Sequence, residues 1–311
     1  MHWRWSLFLA LILAVATAGC SVRRFAVNRV GDALASGGST YESDDDLQLV
    51  ESALPFGLKL IESLLAESPK HKGLLLAATQ GFASYSYLFV QQEADRKAAE
   101  DLEAAEKIRT RARRLYMRAH RYGFRALELV RPGFSQALTA DPKAALASIR
   151  KKSDVPLLYW NAVALGLAIS VSKSDASMLA RLPEVEAMVD RALELDESWS
   201  DGTLHEFDVI FASGKPGKTD FDRIEKHFSR AVELSKGTRA GIYVAYAEAV
   251  SVPKQDRASF QAMLQKALAI DPEQYEASRL TNQVAHDRAE WMLERVDELI
   301  LPLENPGEEK K

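Results

Sequence analysis

A five-residue string recurs along this chain and limits its fold more than any other feature. RALEL spans Arg125–Leu129 and returns identically at Arg191–Leu195, RAVEL follows at Arg230–Leu234, and KALAI at Lys266–Ile270. The copies begin 66, 39 and 36 residues apart. Regular return of a helix-forming string at this interval predicts helices that pack in pairs, each pair stacking on the next to bury a continuous core. The small residues Ala126, Ala192, Ala231 and Ala267 let a partner helix approach, and apolar side chains one and three places later reach both neighbours.

The rest of the chain agrees with that period. Apolar residues recur at helical spacing over Leu47–Leu65, Gly73–Gln92, Asp95–Val130, Pro156–Val171, Glu184–Asp196, Thr203–Ala212, Phe221–Ser235, Arg239–Val250, Asp256–Ile270 and Glu273–Leu301, with no strand series. Ser43–Asp46 offers capping oxygens to the first of these, and Pro55 is expected to kink or divide it. Arg131-Pro132 and Asp271-Pro272 stop helices where a repeat must turn. The interval of 66 is two units of about 33 to 34 residues, the length of a tetratricopeptide repeat. The predicted fold is all-α: stacked antiparallel helix pairs forming a tetratricopeptide-repeat-like superhelix, with extra helices at both ends.

Ahead of this body, MHWRWSLFLALILAVATAGCS has a basic start at Arg4, a short apolar run over Leu7–Ala16 and small residues before Cys20. The run is too short for a membrane span and reads as a cleaved export signal. Thr17-Ala18-Gly19-Cys20 resembles a bacterial lipoprotein signal, although it lacks the usual leading Leu. Cys20 is the single cysteine of the chain, so an exported domain has no disulfide framework, and lipidation accounts for the thiol. In lipoproteins of this pattern Ser21 favours the outer membrane. The expected organisation is a signal peptide over 1–19, a lipidated tether over 20–40, a helical domain over 41–301 and a flexible tail over 302–311.

YESDDDLQLVESALPFGLKLIESLLAESP, ARRLYMRAHRYGFRALE, LPEVEAMVDRALELDESWSDGTLHEF and YVAYAEAVSVPKQDRASF resemble the T component associated with tripartite ATP-independent periplasmic (TRAP) transporters. The likeness runs from about Tyr41 to about Leu301, and SVPKQDR at Ser251–Arg257 is its most particular part, because repeat packing does not require it. The resemblance implies an all-helical lipoprotein built on cryptic tetratricopeptide repeats, and with Cys20 as its anchor and Ser21 beside it the expected place is the periplasmic face of the outer membrane. It also implies a homotrimer beside a periplasmic solute-binding protein that hands ligand to an ion-driven permease. It brings no catalytic residue and no cofactor. A second expectation keeps the same architecture but makes it a scaffold for outer-membrane or cell-envelope assembly.

Other motifs point elsewhere and are weaker. ASGKPGKT at Ala212–Thr219 fits a phosphate-binding loop with Ala for the first Gly. Such a loop needs a strand before it, whereas Leu204, Phe207, Ile210 and Phe211 make a helical stripe and the repeat phase places a turn here. No nucleotide is expected. His205, Glu206 and Asp208 are the densest set of possible ligands but lack a His pair at i, i+4, so no metal is expected. The basic run Lys107–Arg125 has acids earlier on its own helix, at Glu100, Asp101, Glu103 and Glu106, and a formal net charge of -4 gives no case for nucleic acid. Tyr159, Trp160, Phe207, Tyr243 and Tyr246 fall on successive first helices of the repeats. They form the expected concave binding surface, since Tyr and Trp join an apolar body to a polar tip.

Overall fold

The computed structural model describes residues 24–35 and 39–301. The expected signal segment 1–19, Cys20 and the tail 302–311 lie outside the described residues. Among the described residues every regular element is helical.

Short polar side chains start the helices where the sequence places them. Residues 24–35 form α1, and Ser39–Glu42 forms the short α2. Asp46 then caps α3 (Leu47–Glu67), accepting from the Leu49 amide at 2.9 Å. Pro55 lies within α3, which runs as one helix and is not divided. α4 (Lys72–Tyr85) continues through a π-helical stretch, Ser86–Gln91, into α5 (Gln92–Lys97). The expected helix Asp95–Val130 is broken at residues 98–101, because Asp101 caps a new helix, α6 (Leu102–Val130), by accepting from the Ala104 amide.

Beyond α6 come the short α7 (Phe134–Ala140) and α8 (Pro142–Ala147), then α9 (Val155–Ser170), α10 (Ala176–Leu179) and α11 (Leu182–Asp196). α12 (Thr203–Ser213) and α13 (Phe221–Ser235) are followed by α14 (Ala240–Tyr246), which runs into a second π-helical stretch, Ala247–Ser251. α15 (Arg257–Leu268) precedes a pair of 3₁₀ turns at Pro272–Gln274 and Glu276–Ser278. The last expected helix, Glu273–Leu301, is therefore shorter and divided, into α16 (Arg279–Glu294) and α17 (Val296–Leu299). Asp271 caps the first 3₁₀ turn instead of a long helix.

Pairing follows the repeat. α4 packs on α6, α9 on α11, α12 on α13 and α14 on α15. Ala126, Ala192, Ala231 and Ala267 sit on the second member of each pair, and all are buried. At Gly202 the backbone is left-handed, with φ of 85°, and the Ala231 Cα lies 3.3 Å from where a Cβ would stand. A side chain there would both strain the turn and push α13 away.

The segment 20–40, expected as a tether, carries the docked helix α1 over residues 24–35. Ser68 Oγ donates to Asn28 Oδ1 at 2.6 Å, and His71 Nε2 stands 3.2 Å from Asp32 Oδ1. A Cβ on Gly31 would meet Leu74 at 2.9 Å, so α1 lies flat against α4.

At the other end the chain returns to its beginning. Arg279 Nη1 on α16 donates to the Ser43 carbonyl at 2.7 Å, and Gln283 Nε2 to the Asp45 carbonyl at 3.3 Å. First helices also touch in sequence, α4 with α9, α12 with α14, and α14 with α16. Curling the row until α16 meets α2 and α3 leaves a space in the middle.

Candidate functional site

That space is a cavity of about 490 Å³, lined from α1, α2, α3, α4, α9, α12, α14 and α16. A volume of this order is typical of small-molecule sites, which are largely apolar with few fixed polar groups. Leu58, Leu88, Val163, Leu167, Ile210 and Leu280 supply apolar wall. Both π-helical stretches border it, the first through Tyr87 and Leu88, the second through Glu248. A π turn holds more than the usual number of residues, so it shifts the helix face on which later side chains emerge.

Aromatic side chains form one side. Tyr159 meets Trp160 edge-on with ring centroids 5.0 Å apart, and Phe207 at 6.1 Å, while Trp199 tilts against it at 5.0 Å. Gly166 makes room for this cluster, since a Cβ there would stand 2.9 Å from Phe207 Cζ. Burial pushes the Tyr87 and Tyr159 hydroxyls well above the ordinary phenol range, so both remain protonated donors.

Of the five aromatic residues expected on this surface, Tyr159, Trp160 and Phe207 line the cavity. Tyr243 and Tyr246 do not. They project from the other side of α14 onto Phe228 of α13, at ring distances of 6.0 and 4.3 Å, and the Tyr246 hydroxyl donates to Glu225 at 2.8 Å. The helix instead offers Gly241, Val244 and Ala245 to the cavity, with Glu248 one turn further on. That stripe is small and weakly apolar, so the bulkier tyrosine stripe drew the sequence reading to the wrong face.

The charged groups of the cavity were not singled out as a set by the sequence. Arg239 donates from Nε to Glu206 Oε2 at 2.9 Å, and its Nη2 lies 2.9 Å from the same oxygen. Burial alone would lower the Arg239 pKa, but Glu206 outweighs it and the guanidinium stays charged. Arg288 donates from Nε and Nη2 to Glu248 Oε1 at 2.8 and 2.6 Å, and from Nη1 to Gln92 at 3.1 Å and Asp95 at 3.0 Å. Burial raises the Asp95 carboxyl above its ordinary range, with Arg288 opposing. Glu42 completes the set. Burial raises its carboxyl also, opposed by Arg239 and by Gln80, whose Nε2 donates to Oε1 at 3.1 Å.

One signal could have found the first pair: Arg239 and Glu206 are 33 residues apart, as are Arg230 and Glu197, which also pair. Opposite charges at this recurring separation join one helix pair to the next. No such signal joins Arg288 to Asp95 across 193 residues.

The His205, Glu206 and Asp208 set is divided by the helix. Glu206 turns to the cavity, while His205 and Asp208 face α13. Arg223 donates to both Asp208 oxygens, at 2.8 and 2.7 Å, and His205 Nδ1 lies 3.1 Å from His227 Nδ1. Among the described residues no group of three or more His, Cys, Asp and Glu side chains is placed to hold a metal ion. Ala212–Thr219 starts in the last turn of helix α12, where a phosphate loop would follow a strand, and Lys215 pairs with Glu186. The geometry of a phosphate loop is absent there.

The basic run on α6 finds partners mostly on other helices. Arg113 reaches Asp175 at 2.6 Å, Arg118 reaches Glu62 at 3.7 Å, and Arg125 donates to the Pro69 carbonyl at 2.9 Å. Lys107–Glu103 and Arg109–Glu106 are the pairs within the helix.

Comparison with known proteins agrees with the resemblance read in the sequence. Residues 43–300 match the TRAP transporter T-component family. The chain belongs to that family. A protein of Treponema pallidum (strain Nichols), described only as uncharacterized, is 27% identical over 303 residues, covering 91% of this chain and 94% of that protein. As a TRAP transporter T component, the protein is an accessory of a transport system, and the family is not a known enzyme family. Among the described residues of this T component, no helix is long and apolar enough to cross a membrane.

Proposed function

We propose that this T component is a periplasm-facing, non-enzymatic accessory of TRAP-type solute uptake. It forms a homotrimer, docks a periplasmic solute-binding protein and shelters that protein's ligand. Its helix pairs follow a tetratricopeptide-repeat superhelix, and acylated Cys20 holds it on the periplasmic face of the outer membrane. The observation that carries the reading is the cavity of about 490 Å³ at the centre of the helix row, walled by Tyr159, Trp160 and Phe207. A family accessory to solute transport that builds such an interior has a place for a transported molecule.

Two further features support it. Leu49, Phe56 and Leu60 are exposed at positions seven and four apart on α3, and Phe56 is 75% exposed. That spacing makes one outward apolar stripe, the kind of surface that self-association covers. Acyl chains on Cys20 would supply about 0.8 kcal/mol per buried methylene, enough for stable anchoring when several are present.

The test is capture from periplasmic extract by the purified domain lacking Cys20. Recovery of a solute-binding protein is expected. Recovery of outer-membrane assembly factors or peptidoglycan enzymes in its place would overturn the transport reading.

A further inference from the structure

The charges around the cavity do not balance, and the imbalance says what kind of molecule it takes. Among the described lining residues are three carboxylates, Glu42, Glu206 and Glu248, against two guanidinium groups, Arg239 and Arg288. Asp95, at 3.0 Å from Arg288, adds a further acid behind the wall.

The guanidinium groups are already directed at acids, and the carboxylates keep acceptor capacity. Arg288 directs Nε and Nη2 to Glu248 and Nη1 to Gln92 and Asp95, and Arg239 directs Nε and Nη2 to Glu206. Each carboxylate offers about four acceptor sites. On Glu206 both Arg239 contacts fall on Oε2, while Oε1 lies toward Gly241, 2.6 Å from where a Cβ would stand. Glu248 likewise receives both Arg288 bonds on Oε1. Among the described residues Glu42 has no ion-pair partner within 4 Å. Its hydrogen bond comes from the neutral Gln80, and Arg239 acts on it only at longer range.

An incoming anion would meet an excess of negative charge, with both guanidinium groups already paired to carboxylates. An incoming cation would find carboxylate oxygens with acceptor capacity left and would relieve the desolvated Glu42. The walls beside these groups are aromatic, through Tyr87, Tyr159, Trp160 and Phe207, and aromatic faces attract cations as well as apolar surface.

We propose that the cavity binds an organic cation, an amine with an aromatic or apolar body, its ammonium held by Glu42 and Glu206 and its body against Tyr159, Trp160 and Phe207. The proposal rests on the reading of the cavity as a ligand shelter and names the ligand class. It does not require that the solute-binding protein be identified.

The experiment uses three probes with one ring system: tryptamine as cation, indole-3-acetate as anion and 3-methylindole as the neutral body. Binding to the purified domain is followed by titration calorimetry, and stability by thermal melting. Tryptamine should bind at least tenfold more tightly than either of the others. Glu42→Gln should weaken tryptamine about tenfold while leaving 3-methylindole unchanged and the melting temperature equal or higher, because a neutral amide is less costly to bury. Rescue of tryptamine affinity by Glu42→Asp would separate the charge from the shape.

Equal affinity for all three probes, tighter binding of indole-3-acetate, or no binding of tryptamine at millimolar concentration would each overturn the proposal. Capture of a solute-binding protein without tryptamine binding would remove this inference alone. Tryptamine binding without such capture would remove the transport reading and leave the cation site standing.

Discussion

Gly123 on α6 and Asn161 on α9 meet so closely that a Cβ on the glycine would stand 2.6 Å from Asn161 Cγ. Asn161 is fully buried, and its Nδ2 donates to the Leu157 carbonyl at 2.9 Å, so the amide cannot swing away without losing that bond. Gly123→Ala should therefore lower stability by roughly 1–3 kcal/mol through overpacking. Urea unfolding measures it. Combining it with Asn161→Ala should recover part of the loss, since the two residues contact one another. Strict additivity of the two costs would show that the close approach is not the cause.

Arg288 is one of the groups that tie the end of the row back to its beginning. It joins α16 to Glu248 after α14 and to Asp95 on α5. Arg288→Ala would leave Glu248 without its cation and Asp95 with only Arg109 at 3.9 Å; because both carboxylates are partly exposed, the expected cost is about 1–3 kcal/mol. Adding Glu248→Gln to that variant should recover a measurable share. Thermal melts of the two variants decide it, and a melting point within a degree of the parent for Arg288→Ala would contradict the assignment.

Acid should weaken the fold before most carboxylates titrate. Burial, helped by Arg181 and Arg121 and opposed by Asn161, holds the His120 pKa down to about 3, against an ordinary 6.5. A histidine with a depressed folded pKa contributes stability that is complete above about pH 6.5 and is lost as pH falls toward the folded value. His205 and His227 are lowered too, burial being the largest cause for each, with Glu197 opposing at His205 and Asp208 at His227. Glu42 and Asp95 are raised and work with the opposite sign. The comparison is therefore between variants: His120→Gln should flatten the stability slope by about 0.7 kcal/mol per pH unit at pH 6.5, rising to about 1.4 near pH 5. An unchanged slope would mean that His120 is already protonated in the folded protein.

Phe56→Glu places a charge in the exposed stripe of α3. Native mass spectrometry should show the parent as a trimer and the variant as monomer, with unchanged melting behaviour at low protein concentration. A monomeric parent at micromolar concentration would remove the trimer from the proposed function.

Much of this architecture was legible one helix at a time. Apolar spacing, with Ser43–Asp46 as capping oxygens for the first helix, placed α3, α13 and α15 to within a residue or two, and the recurring Ala at 126, 192, 231 and 267 located the second helices. The cavity was half legible. Tyr159, Trp160 and Phe207 line the cavity, whereas Tyr243 and Tyr246 pack on α13, because α14 carries apolar residues on both sides.

The sequence alone determined that this chain folds as helices, where most of them start and stop, and that a helix-forming string returns along it, because caps and helical periodicity act over a few residues. Only the tertiary structure decided that the row closes, bringing Arg279 to Ser43 and Arg288 to Asp95, and which stripe of each helix looks inward. A helix periodicity fixes which residues share a face, but the partner of that face is chosen by the summed packing and ion pairing of distant helices, and no local pattern contains that sum.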